Sequence, residues 1–96
     1  MTMHEVKCWP EFFKQIVAGI KPFDLRRNDR DYKVGDFLKL KEWNPDTGEY
    51  TGEVCTKRIV CVLAATGPTP EPLPQPKWGL ERGYCILGLA NSDSPI

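Results

Sequence analysis

The reading turns on GIKPFDLRRNDRDYKVGDFLKLKEW, residues 19–43, which sets seven cations and five anions among residues spaced as strands. From Pro22 to Arg27 the residues alternate: Phe23 and Leu25 point one way, Asp24 and Arg26 the other. This predicts a strand with one apolar and one charged face. Asn28 to Val34 is polar and reads as a loop, and Gly35-Asp36 turns the chain into a second strand, Phe37 to Trp43. There Leu38, Leu40 and Glu42 share one face, while Phe37, Lys39, Lys41 and Trp43 share the other.

Upstream, His4 to Cys8 alternates as a short strand, with His4, Val6 and Cys8 on one face. Pro10 fits a first helical position, where its missing N–H costs nothing. Phe12, Phe13, Ile16, Val17 and Ile20 follow at one-face helical spacing, and Gly19 is a natural terminator. Both phenylalanines are expected in the core.

Downstream, Asn44-Pro45-Asp46-Thr47-Gly48-Glu49 is a turn. Tyr50 to Gly52 either continues a hairpin or makes a second turn. Glu53 to Leu63 starts by alternating and ends in an apolar run, the pattern of a strand buried on both sides. Prolines at 68, 70, 72, 74 and 76 predict an extended surface loop over 67–78, either a rigid connector or a ligand for a protein partner. A last strand runs from Tyr84 to Leu89, and the tail over 90–96 is expected to fray.

The length allows one domain with one modest core. The formal charge is zero, which removes any global attraction for polyanions. It is locally polarised, however: Lys21–Lys41 carries seven positive and four negative side chains, net +3, whereas Glu42–Thr56 carries four acids and no cation. Cys8, Cys55, Cys61 and Cys85 form no C-x-x-C pair, and His4 is the single histidine, so no metal or other cofactor is expected. Reduced thiols and a cytoplasmic location are the simpler reading, and no apolar run is long enough to span a membrane. A first strand, one short helix and four or so further strands predict an α+β, mainly β fold: a small, strongly bent sheet or β-barrel capped by the helix.

The run Gly19-Ile20-Lys21-Pro22-Phe23-Asp24-Leu25-Arg26 resembles the G-x-K-x-x-[ED]-x-R signature of ASCH domains, a branch of the PUA-like barrels. Val34-Gly35-Asp36 resembles the step that comes after it there. Over roughly residues 4–89 the chain is similar to a small uncharacterised ASCH-like family common in bacteria and their phages. The resemblance implies a PUA-like barrel of about five or six strands and a cleft, bordered by the signature, that takes RNA or a nucleotide. Some ASCH-like proteins are amidohydrolases of acetylated cytidine, in which the signature lysine, a threonine three residues later and a distant glutamate act. Lys21 matches the lysine, Asp24 stands where the threonine would be, and Glu81 is only a positional match for the glutamate.

The residues themselves suit such a ligand. Asp24 and Arg26 can pair and hold a guanidinium fork ready for phosphate. Lys21 can swing over a cleft mouth. Lys7 and Trp9 lie close by if the first strand pairs with the second, and Trp9 or Tyr84 can offer a stacking surface. Arg30 and Glu42 complete the candidate set; Arg27, Asp29 and Asp31 belong equally to a braced loop. Paired charges on a strand are otherwise ordinary solvated surface. His4 reads as a packed or capping residue, and a catalytic pair with Cys8 is rejected because the two sit roughly 13 Å apart by strand rise, too far to act together. Trp43 and Trp78 read as packing residues ahead of base platforms. The expected function is an RNA- or nucleotide-binding module. The alternatives are an amidohydrolase of acylated cytidine with Lys21 and Asp24 catalytic, or a protein-interaction adaptor or phage-encoded inhibitor.

Overall fold

The computed structural model describes residues 1–64 and 83–93. The proline-rich stretch, Trp78, Glu81 and the last three residues of the tail lie outside the described residues. The elements run β1 (Met3–Cys8), α1 (Pro10–Val17), β2 (Phe23–Arg27), β3 (Phe37–Asn44), β4 (Glu49–Ala64) and β5 (Tyr84–Asn91). The five strands form one curled sheet, a half-barrel, in the order β1-β3-β4-β5-β2. The fold is therefore mainly β with one short helix.

The alternation in β1 places His4, Val6 and Cys8 inside. This strand pairs in parallel with β3, Val6 opposite Leu40 and Cys8 opposite Glu42, rather than with β2. The helix starts at Pro10 and ends in a Schellman motif: Ile20 N–H bonds to Gln15 O at 3.0 Å and Gly19 N–H to Ile16 O at 3.1 Å. Gly19 takes a φ of 78°, a conformation that costs a residue without Cβ little. Only Phe13 and Ile16 of the expected apolar stripe are buried; Phe12, Val17 and Ile20 are exposed. One short helix against a curled sheet has a narrow contact, so half of its apolar face is left outside.

The turn after β3 closes as its residues predict, with Asp46 N–H on Asn44 Oδ1 at 2.9 Å and Gly48 N–H on Asn44 O at 2.8 Å. Tyr50 to Gly52 continues the hairpin within one long strand, with a register irregularity between Lys41 and Trp43. In β4 the expectation of burial on both sides fails. Ile59 is buried, Val62 and Ala64 pack on the core, and Cys61 and Leu63 are exposed. A bulge explains it. Ile59 pairs with Leu89 and Cys61 with Gly88, so Val60 is an extra residue that reverses the facing of the rest of the strand. Leu89, Leu87 and Cys85 thereby all stay inward, against Ile59, Val62 and Ala64. The final strand continues through Ala90 to Asn91, two residues into the stretch expected to fray, and Lys57 Nζ donates to Asn91 Oδ1 at 3.0 Å.

The main departure is in β2. Asp24 is 6% exposed, whereas Phe23 and Leu25 are 45% and 55% exposed. The charged face is the inner one. Register dictates this: Asp24 lies opposite Leu87 and Arg26 opposite Cys85, and opposed residues of an antiparallel pair point to the same face. Outside, Leu25 is opposite Ile86, which is in turn opposite Leu63 on β4, so the displaced apolar face joins an outer apolar row.

The polar loop between β2 and β3 also holds a core residue. Tyr32 is buried with its ring 4.8 Å from that of His4 at 63°. His4 Nε2 lies 2.9 Å from Asp36 Oδ2, and Asp36 also accepts from the Thr2 and Lys33 N–H groups. His4 is thus packed and clasped, as its isolation in the sequence suggests. Burial works against charge on Asp36, but these hydrogen bonds outweigh it and hold its carboxyl below the usual aspartate value.

Candidate functional site

The two edge strands, β1 and β2, face each other across the open seam of the half-barrel, and Arg26 spans it. Its Nε donates to the Asp24 carboxylate and its Nη2 donates to the Lys7 main-chain carbonyl on β1. Lys7 and Trp9 therefore do lie near Asp24 and Arg26, although through this side-chain bridge and not through pairing of their strands. The bridge also divides the seam into two hollows.

The first hollow, about 310 Å³, is lined by Lys7, Arg26, Arg27 and Arg30, with Glu5, Asp29, Val6, Tyr32 and Tyr50. Four cations face two acids, and Glu5 is already engaged with Lys41 Nζ at 3.7 Å. The loop that brings Arg30 here is held by buried Tyr32 and by Asp31 at a φ of 49°, a left-handed conformation uncommon for a residue with Cβ. The second hollow, about 210 Å³, is lined by Trp9, Phe12, Leu25, Cys8, Asp24, Lys7 and Arg26. It is mostly apolar at the rim, with the acid–guanidinium pair within. Lys7 and Arg26 belong to both hollows.

Burial is the main influence on Asp24 and pushes its carboxyl above the usual aspartate range; the Arg26 charge and hydrogen bond, and the Lys21 charge, oppose this without cancelling it. The Cys8 thiol is pushed up to about 11, first by burial and then by Asp24, against Arg26 and Lys21. Cys8 also feels Glu42, so these charged groups surround one interior region. The buried thiol of Cys85 is raised for the same first reason, burial, with Asp24 adding to it.

The remaining candidates are placed differently. Lys21 lines a separate cleft of about 280 Å³ with Ile16, Pro22 and Lys57. Its Nζ sits over two ring faces, 4.2 Å from the Phe12 centroid and 5.5 Å from that of Phe23. Phe12 is thus a shared wall between Lys21 and the Trp9 hollow, and among the described residues Lys21 makes no ion pair with Asp24. Tyr84 stands opposite Arg27 on β5, with the guanidinium 5.9 Å from its ring centroid, and itself lines neither seam hollow. Glu42 is a buried inward acid that accepts from Thr51 Oγ1 at 2.6 Å, and it lines a groove with Phe13, Val17 and Glu53 on the other side of α1.

Several members of the seam were not legible in the sequence: Phe12, assigned to the core; Tyr32, within a polar loop; and Tyr50, between a hairpin and a second turn. Alternation and charge gave no signal for them, because loop geometry and the shortness of α1 decide their places. Among the described residues no group of three His, Cys, Asp or Glu side chains stands close enough to hold a metal ion. No helix among them is long and apolar enough to cross a membrane. All four cysteines are free thiols.

A protein of Escherichia phage P2, "Uncharacterized 12.9 kDa protein in GpA 3'region", is 38% identical over 60 residues, which takes in 62% of this chain. The alignment covers 53% of the phage protein, so the chain spans about half the length of that relative. A phage relative fits the expected bacterial and phage distribution. The family model described as "Domain of unknown function (DUF3850)" matches residues 3–89, nearly the whole chain, and the chain therefore belongs to the DUF3850 family.

Proposed function

We propose that this chain is an RNA- or nucleotide-binding module whose ligand lies across the β1–β2 seam, within an ASCH-like, PUA-related fold. The observation that carries the reading is the pair of hollows joined by Lys7 and Arg26: one rich in guanidinium groups, the other rimmed by Trp9 and Phe12. Arginine forks suit phosphate, and exposed ring faces suit an unstacked base. A nucleotide offers both chemistries, and the two hollows share Lys7 and Arg26. The zero net charge fits a ligand held at few phosphates rather than a long duplex gripped along its length. Four free thiols fit a reducing, cytoplasmic setting.

The test is a binding panel of nucleoside monophosphates, single-stranded RNA and duplex RNA. Single strands or monophosphates should bind at micromolar protein, with a shallow salt dependence. Arg30→Ala, on the exposed loop, should weaken binding by about 1.5–3 kcal/mol, the scale of a charge-assisted hydrogen bond. Absence of binding to every member of the panel at that concentration defeats the reading.

A second reading, hydrolysis of an acylated cytidine, has one observation in its favour: Asp24 is a buried carboxyl with a raised proton affinity beside the seam. Against it, Lys21 and Asp24 line different hollows. Mass spectrometry of acetylated cytidine incubated with the protein decides it; turnover that survives Lys21→Ala excludes Lys21 as the reacting amine.

A further inference from the structure

We propose that the ligand site continues out of the seam onto the outer face of β1, β3 and β4, and that the ligand is a single-stranded oligonucleotide rather than a mononucleotide. This rests on the nucleotide-binding reading and deepens it. Four side chains make the extension. Lys7 and Lys41 are opposite each other in the β1–β3 register, and Trp43 is opposite Tyr50 in the β3–β4 register. All four point outward, since their neighbours Val6, Cys8, Leu40 and Glu42 point in. Lys7 Nζ lies 3.9 Å from the Trp43 ring centroid and Lys41 Nζ lies 4.5 Å from that of Tyr50. Lys7 and Tyr50 also line the arginine-rich hollow, so the row is continuous with it.

Alternating cations and rings are the composition of a surface that tracks a nucleic-acid strand. In the free protein the lysines cover the rings. An exposed cation–π contact favours that state only roughly two- to five-fold, whereas a base stacked on a ring gains roughly five- to 150-fold. A base therefore displaces the ammonium from the ring, and the displaced lysine is left beside the phosphate that the same nucleotide brings. The Trp43 and Tyr50 rings are 4.9 Å apart between centroids but inclined at 75°. Two bases stacked on them cannot be parallel. The surface thus fits splayed bases of a single strand and not the parallel stack of a duplex.

The experiment compares a 5′-labelled, mixed-sequence single-stranded RNA octamer with the four nucleoside 5′-monophosphates, by fluorescence anisotropy and competition, on the full chain. The octamer should bind at least about tenfold more tightly than any monophosphate. Trp43→Leu should cost the octamer about fivefold or more and leave monophosphate affinity unchanged. Because Trp43 is partly buried, Lys41→Ala is the second variant, and it should lower the slope of log octamer affinity against log salt by about 0.7. Equal affinity for octamer and monophosphate, or wild-type octamer binding by both folded variants, overturns the inference and leaves the seam reading standing. Failure of both ligand classes to bind overturns both.

Discussion

The Arg26 guanidinium reaches across the open seam of the sheet to the main-chain carbonyl of Lys7, joining the two edge strands by one side chain. The same guanidinium neutralises the buried Asp24 carboxylate. One residue thus closes the half-barrel and partitions the candidate site.

Removing that residue should be costly. Arg26→Ala leaves Asp24 buried without its cation, and such losses are about 3–5 kcal/mol for fully buried pairs. The Arg26 side chain is 21% exposed, so a loss nearer about 2–3 kcal/mol is expected by urea unfolding. Arg26→Ala combined with Asp24→Asn should recover much of it. Independent, additive effects of the two changes would show that the pair does not act as a unit.

Asp24 should oppose folding at neutral pH. Its folded carboxyl holds its proton more tightly than the unfolded one, so the folded state binds more protons, and stability falls as pH rises from the unfolded value through the folded one. Asp24→Asn keeps an oxygen for the Arg26 Nε and should stabilise the chain at pH 7, with the gain fading below about pH 4. A gain that persists at low pH contradicts the assignment.

Asp36 should behave in the opposite sense. Its carboxyl is held below the unfolded value, so its contribution is complete above about pH 4 and is lost as pH falls through the folded value. Asp36→Asn removes charge from a site that receives His4, Thr2 and Lys33 and should cost about 1.5–3 kcal/mol at pH 7. That deficit should shrink in acid; a pH-independent deficit would assign the effect to shape alone.

Gly88 should be intolerant of a side chain. A Cβ there would meet the Cys61 Cβ at 2.9 Å, across the bulge that keeps Leu87 and Leu89 inward. Gly88→Ala should cost about 1–3 kcal/mol, and Cys61→Gly should relieve part of it. Thermal unfolding of the two single variants and the double variant reads this directly.

The thiols should separate by reactivity. Cys61 is exposed, whereas Cys8 is buried with a thiol pushed up to about 11. At pH 8 the Cys8 thiolate fraction is on the order of one in a thousand, quite apart from access. A thiol reagent followed by peptide mapping should mark Cys61 first, and Cys8 and Cys85 only on unfolding. Early labelling of Cys8 would mean that the seam opens far more readily than its packing indicates.

The sequence by itself determined those features that depend on a few adjacent residues. These are the inward set of β1, the helix start at Pro10 and its stop at Gly19, the turn from Asn44 to Glu49 and the shared face of Leu38, Leu40 and Glu42. Each comes from a period, a fixed φ or a side chain bonding its own backbone. It also marked Asp24 and Arg26 as partners, since residues two apart on a strand share a face.

Tertiary structure alone decided which face of β2 turns inward, where β4 changes parity and which strand lies beside β1. Alternation defines two faces but carries no direction. Pairing with β5 supplied it: Leu89 N–H bonds Pro22 O at one end of β2 and Asn28 N–H bonds Gly83 O at the other, fixing a register that places Asp24 beside Leu87. A shift of one residue would have turned the whole strand over, so the site exists because long-range hydrogen bonds chose one register out of two that local pattern allowed.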